Sequence, residues 1–142
     1  MYALLREYVR RHGLGEAVVA PFEVELAEDT AVQPDVLVLL GQQRERLTVA
    51  RLTAAPTLVI EVISYSSKRT DRLQKRELYQ REGVAEYWIV DLDRRQVERW
   101  QPGDQAPETI ALELIWQPAA AFPRFTLELP RLFEMVTRPT GA

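Results

Sequence analysis

The chain has 142 residues, of which 46% are hydrophobic and 27% are charged, with a net charge of −3 at pH 7 and no cysteine. These values are typical of one globular domain, and they exclude a disulfide scaffold, a thiolate zinc site and nucleic-acid binding through bulk positive charge. No apolar run approaches the ~20 residues of a membrane span, and the N-terminus is unlike a secretory signal, so a cytoplasmic protein without membrane contact is expected.

The first third of the chain predicts one helix followed by strands. Apolar residues recur at helical spacing over residues 2–12, and Gly13 ends this helix. Residues 16–26 alternate between apolar and polar side chains, which is typical of a half-buried strand. A second, buried strand is predicted over Val32–Leu40, with Pro34 near its start, where a missing N–H donor is tolerated.

The middle of the chain predicts a strand, a helix and a second strand. Residues 41–56 are polar and basic and are expected to form a loop. The β-branched run Leu58–Ser64 fits a strand covered on both faces. A helix is predicted over residues 68–82, where Gly83 ends it, and the next strand covers residues 86–91.

The last third predicts mostly strands. A turn at residues 93–95 leads into a returning strand over 96–101. An outer strand is expected over residues 108–116, a short strand over 125–129, and a closing helical turn around Leu132. This order of helices and strands predicts a mixed α/β (α+β) fold.

Two carboxylates fall on the predicted buried strands. Glu61 lies in the middle of its apolar run, and Asp35 shares a strand face with Leu37 and Leu39. A buried charge is costly unless it is paired, and carboxylates on neighbouring strands are suited to Mg²⁺ or Mn²⁺, which can promote phosphodiester hydrolysis. The alternative is structural: Asp35 caps a turn and Glu61 pairs with an arginine.

The helix that follows the Glu61 strand favours the metal site. At 100° per residue, Lys75 lies between Leu78 and Tyr79 on the apolar face, from which it can reach back towards Glu61. Asp71 lies one turn before Lys75. The alternative is an Asp71–Lys75 surface pair, which contributes only ~0.3–0.5 kcal/mol.

Four spaced motifs then carry a resemblance to a known family: Val32–Val36, Leu58–Ser64, Asp71 with Lys75–Tyr79, and Gly83–Val84 with Glu86–Asp91. In this order they closely resemble the Uma-two (Uma2) family, mostly uncharacterised bacterial proteins described as restriction endonucleases of the PD-(D/E)XK superfamily. The resemblance runs from about residue 2 to residue 135. It implies a restriction-endonuclease-like core of helix, three strands, helix and strand around a mixed sheet, with extra C-terminal strands.

The resemblance also implies roles for individual residues. Asp35 matches the aspartate of the PD motif and Glu61 the acidic residue of the (D/E)XK motif, while Ile63 stands where most of the superfamily has lysine. Lys75 matches a lysine that this family carries on the helix instead. Together with Tyr79, it takes the place of a Q-x-x-x-Y pattern in related nucleases.

The leading hypothesis is therefore a metal-dependent DNA endonuclease. Asp35, Glu61 and the Val62 carbonyl would hold Mg²⁺ or Mn²⁺, and Lys75 would orient or deprotonate the attacking water. Supporting candidates are Tyr79 and Asp71, and candidates for contact with DNA phosphates are Lys68, Arg69, Arg72 and Arg76. These four cations are equally what a solvated helix face contains.

Two other classes of function stay open: a catalytically silent nuclease-like domain that binds nucleic acid or a partner protein, and a plain structural subunit. Relatives carry a segment before the first helix, so the chain is expected to be a single domain, residues 1–142, shortened at its N-terminus. Apolar surface exposed there would be covered by a second copy. Paired cleavage of two DNA strands also favours a homodimer.

Overall fold

A computed structural model of the protein describes residues 1–20, 22–28, 30–41, 51–52, 54–63 and 69–137, without the side chains of residues 51, 69–73 and 136–137. In chain order the elements are α1 (Tyr2–Arg11), β1 (Gly15–Val19), β2 (Glu23–Ala27), β3 (Thr30–Val32), β4 (Val36–Leu40), β5 (Arg51–Leu52), β6 (Leu58–Ile63), α2 (Arg69–Arg81), β7 (Glu86–Asp91), β8 (Gln96–Trp100), β9 (Glu108–Ile110), β10 (Glu113–Trp116), β11 (Phe125–Glu128) and α3 (Leu129–Thr137).

A six-stranded sheet with the order β1-β4-β6-β7-β8-β9 forms the centre of the fold. Only β6 and β7 pair in parallel in this sheet, and α2 makes the crossover that a parallel pair requires. The other pairs are antiparallel. Two smaller sheets, β3-β2-β5 and β10-β11, complete the described part of the chain.

One face of the central sheet, here called the rear face, packs against α1, α3 and the β10–β11 pair. Leu5 and Val9 of α1 and Phe133 of α3 are fully buried in this layer. Trp88 of β7 is also fully buried, with its ring 5.9 Å from that of Trp116 in an edge-on contact. This layer is the larger apolar core, and its burial drives folding of the domain.

The opposite face, here called the front face, packs against α2 and the β3-β2-β5 sheet. Val59 and Tyr87 of the central sheet meet Tyr79 of α2. Leu37 of β4 meets Val24 of β2. Because side chains alternate along a strand, every second residue of β6, including residue 61, points into this layer.

The predicted mixed α/β fold is confirmed, with a largely antiparallel sheet and few helices. α1, β6, α2 and β7 lie within one or two residues of their predicted bounds. No helix within the described ranges is long and apolar enough to cross a membrane. Most of the predicted loop at residues 41–56 lies outside the described residues.

Three predicted strands are wrong in their extent. The strand expected over 16–26 is divided into β1 and β2, and the strand expected over 32–40 is divided into β3 and β4 of different sheets. Pro34 lies at the second break, where it cannot donate to a ladder. The strand expected over 108–116 divides at Leu112, whose carbonyl accepts the Leu129 N–H at 2.8 Å.

Candidate active site

The two predicted carboxylates lie opposite each other on the front face. Val36 of β4 pairs with Ile60 of β6, so the same antiparallel register places Asp35 across from Glu61. Side chains opposite each other in such a pair have Cβ atoms about 4.5–5.5 Å apart. Asp35 Oδ2 accepts the Val62 N–H at 2.7 Å, which fixes the aspartate against β6. The strands therefore bring the two acidic groups to one place.

Because residue 34 is proline, the Val62 carbonyl lacks the backbone N–H donor that the chain before β4 would otherwise provide. The Asp35 carbonyl accepts the Ala20 N–H from the other side, so in this register Pro34 and Val62 are the next pair expected to exchange hydrogen bonds. Proline has no N–H to give to the Val62 carbonyl. The sequence placed Pro34 at a strand start but did not show this consequence, since it depends on the register of β4 against β6.

Both carboxylate oxygens of Glu61 accept hydrogen bonds from α2. Lys75 Nζ lies 3.3 Å from Oε2, and the Tyr79 hydroxyl donates to Oε1 at 2.9 Å. Lysine and tyrosine four positions apart share one helix face, as the helical phase predicted. Tyr79 is 1% exposed and its ring lies 4.8 Å from that of Tyr87, so the hydroxyl is held rigidly. Lys75, in contrast, has a side chain that is 44% exposed.

The pKa values of this group follow from its burial. Burial raises the pKa of Glu61 above the usual value for a glutamate, and the charge of Asp35 adds to this. The Lys75 ammonium and the Tyr79 hydroxyl lower it without cancelling the rise. Burial and the adjacent Glu61 raise the pKa of Tyr79 above its usual range. Tyr79 therefore keeps its proton and serves as a donor that positions Glu61.

The donor set fits a hard divalent cation. Two carboxylates and one backbone carbonyl, from Asp35, Glu61 and Val62, are oxygen ligands of the kind that Mg²⁺ and Mn²⁺ prefer. Among the described residues, no group of three or more acidic, histidine or cysteine side chains could hold a metal ion. Mg²⁺ usually keeps several water ligands at sites with one or two carboxylates.

A sequence profile of the Uma2 family, described as "Putative restriction endonuclease", matches residues 1–130. The chain belongs to the Uma2 family. The structure of a "putative nuclease belonging to DUF820" from Anabaena variabilis ATCC 29413 is similar, with a TM-score of 0.73 and 17% sequence identity. The likeness covers 94% of this chain and 75% of that one, and it shows a shared fold. Comparison with curated proteins gives no match.

Of the four candidate DNA-contacting residues, Arg76 is the one whose side chain the structure describes. Arg76 lies over the ring of Trp100, 4.5 Å from its centroid, and its side chain is 21% exposed. The side chains of Arg69, Asp71 and Arg72, and the whole of Lys68, lie outside the described part of the structure.

Proposed function

We propose that this protein is a metal-dependent DNA endonuclease of the PD-(D/E)XK type, which hydrolyses phosphodiester bonds. The observation that carries the proposal is the convergence of Asp35 and Glu61 on one sheet face, with the Lys75 ammonium against Glu61. The family description and the fold shared with a protein described as a nuclease support it.

Asp35, Glu61 and the Val62 carbonyl would hold Mg²⁺ or Mn²⁺. A divalent cation held there would lower the pKa of bound water and offset charge on the phosphate. Asp35 is fixed by the Val62 N–H, and Glu61 by the Tyr79 hydroxyl, so the acidic groups are positioned before substrate arrives. Groups that are positioned in advance stabilise the charge of a transition state strongly, because they need not reorganise during the reaction.

Lys75 is the residue proposed to act on the attacking water. Its side chain is long and partly exposed, so Nζ can move from Glu61 Oε2 towards the phosphate. There the ammonium orients the water, or, once it has lost its own proton to solvent, the neutral amine takes a proton from the water. The new P–O bond then forms as the P–O bond to the leaving oxygen breaks, and the leaving oxygen takes a proton from solvent. In its ammonium form, Lys75 also offsets the negative charge that develops around phosphorus.

We further propose duplex DNA as the substrate and a pair of chains as the unit that cuts both strands. Two sites related by a two-fold axis match the antiparallel symmetry of duplex DNA. Light scattering should give the mass of two chains plus one duplex when a short DNA duplex is present. A single chain on each duplex would contradict paired cleavage.

Nicking of supercoiled plasmid tests the proposed activity. The protein should convert the plasmid to open circles with Mg²⁺ or Mn²⁺, and EDTA should abolish the conversion. A plasmid left intact with both ions, at every protein concentration, would show the activity to be wrong and would favour the silent nuclease-like domain.

A further inference from the structure

The turn between β7 and β8, residues Leu92–Arg95, lies at the same end of the sheet as the acidic pair. β6 and β7 run in parallel, with Glu61 paired to Ile89 and Ile63 to Asp91, so both strands finish at this end of the sheet. The Leu92 N–H donates to the Ile63 carbonyl at 3.1 Å. This hydrogen bond connects the turn to β6 at Ile63, two residues after Glu61.

Asp91 stabilises this turn and forms an ion pair with Arg94. The buried carboxylate accepts the N–H groups of Asp93 and Arg94 at 3.1 and 3.0 Å through Oδ1. Its Oδ2 lies 4.0 Å from Arg94 Nε. Because Asp91 and Glu61 both point from the front face, the Arg94 guanidinium is drawn to the side of the sheet on which the acidic pair lies. The Arg94 side chain is nevertheless 72% exposed.

Arg95 occupies a backbone position that favours glycine. Its φ is +52°, and it is the one non-glycine residue with positive φ among the described residues. Glycine or asparagine would adopt this conformation at lower cost. The Arg95 side chain is exposed, so its positive charge lies at the surface of the turn.

We propose that the turn Leu92–Arg95 contacts the phosphate backbone of DNA beside the bond that is cut, with Arg94 and Arg95 as the contacting residues. This inference rests on DNA as the substrate in the proposed function. From strand geometry, Asp91 lies about 8 Å from Glu61 between Cα atoms. Arg94 follows Asp91 by three residues, so we expect it to meet a phosphate close to the scissile one.

The turn also contains one negatively charged side chain, which would repel DNA phosphates. Its removal should therefore change DNA binding in the opposite direction from removal of an arginine. Asp93 is exposed between Asp91 and Arg94. If the turn faces phosphates, Asp93 repels them, and its removal should strengthen binding. If the turn has only a structural role, removal of Asp93 should not strengthen binding at all.

The experiment is fluorescence anisotropy of a labelled DNA duplex with EDTA present, so that no cleavage occurs, over a series of salt concentrations. Arg94→Gln should weaken binding roughly five- to tenfold at low salt, equally for unrelated sequences. It should also reduce the slope of log K against log [salt] by about 0.9, the value for one lost phosphate contact. Asp93→Asn should tighten binding.

Two further variants separate charge from folding. Arg95→Gly suits the positive φ, so it should keep or raise the melting temperature while it weakens DNA binding. Arg131→Gln removes an exposed arginine from α3, behind the rear face, and should leave binding as in the wild type.

Equal affinity and equal salt slope for wild type and Arg94→Gln would overturn the inference, and so would weaker binding by Asp93→Asn. A wild type that binds no duplex at any salt concentration would overturn it as well. A wild type that binds DNA through this turn but never nicks plasmid would instead remove the proposed endonuclease activity and leave the turn's contact with DNA standing.

Discussion

At the scale of single residues, Glu61 is the carboxylate whose burial makes its negative charge unfavourable. It is 7% exposed, and burial raises its pKa. A carboxyl with a raised folded-state pKa stabilises the fold fully at pH values below its unfolded pKa, and this contribution is lost as pH rises through the folded pKa. Ionisation of Glu61 in the folded protein therefore lowers the free energy of unfolding.

Glu61→Gln should thus abolish Mg²⁺ and Mn²⁺ binding in calorimetry while the melting temperature stays level or rises. The amide keeps an oxygen for the Tyr79 hydroxyl, and the lost pairing with the half-exposed Lys75 contributes little. The difference in melting temperature between variant and wild type should grow from the ordinary glutamate pKa towards neutral pH. A variant that melts lower than wild type at neutral pH would show that Glu61 is structural.

Lys75 Nζ contacts Glu61 Oε2 at 3.3 Å, so Lys75 would compete with a cation bound to this oxygen. Lys75→Met keeps the bulk of the stem and removes the charge, so metal binding should persist or tighten. Plasmid nicking should fall by at least the ~10²-fold typical of losing an acid–base group. Equal nicking by wild type and Lys75→Met would remove the lysine from the mechanism.

Pro34 is the residue proposed to keep the Val62 carbonyl available. Pro34→Ala restores an N–H that can donate to this carbonyl and extend the β4–β6 ladder by one hydrogen bond. Stability should change by less than about 1 kcal/mol, because the gained bond offsets the freer unfolded chain. Metal affinity should fall. Calorimetry that gives wild-type affinity would show that the carbonyl is not a ligand.

The sequence predicted where Asp35, Glu61 and Lys75 lie because their neighbours are strongly periodic. Strand alternation put Glu61 on a buried face, and helical phase put Lys75 on the side towards the sheet. The role of Pro34 and the position of Arg94 could not be read in this way. Both depend on which residues of separate strands stand side by side, and this pairing is set by tertiary packing.

At the scale of elements, the pairing of β1 with β4 holds Asp35 in place. A Cβ at Gly15 would lie 1.7 Å from the Leu39 carbonyl oxygen, so no side chain fits there. Gly15→Ala should lower the free energy of unfolding in urea by about 3 kcal/mol or more, because backbone must move.

Gly13→Ala is the matched control for this prediction. Gly13 has a φ of +63°, and a Cβ there meets nothing within 4 Å. Its cost is therefore conformational only, about 1–2 kcal/mol. Equal losses for the two variants would mean that the close approach at Gly15 does not constrain the sheet.

The sequence predicted the existence of most elements but not which sheet each strand joins. β6, α2 and β7 have long apolar or amphipathic patterns, and their bounds could be predicted closely. β9 and β10 are three and four residues long, and they are separated by Ala111 and Leu112, whose carbonyl accepts the N–H of Leu129 at the start of α3. Such a break has no signal in local composition, because it depends on a residue far along the chain.

At the scale of the whole molecule, three elements form the candidate site: Asp35 directly precedes β4, β6 carries Glu61, and α2 carries Lys75. The central claim is that Asp35 and Glu61 act as one unit in phosphodiester hydrolysis. Groups that act as a unit give strongly non-additive losses when they are removed singly and together.

The most direct measurement is the rate of plasmid nicking with saturating Mn²⁺ for wild type, Asp35→Asn, Glu61→Gln and the double variant, at matched folding by circular dichroism. Each single variant should lose nearly all activity, and the double variant should be no slower than either. Single variants that nick at the wild-type rate, or losses that multiply in the double variant, would contradict a shared site.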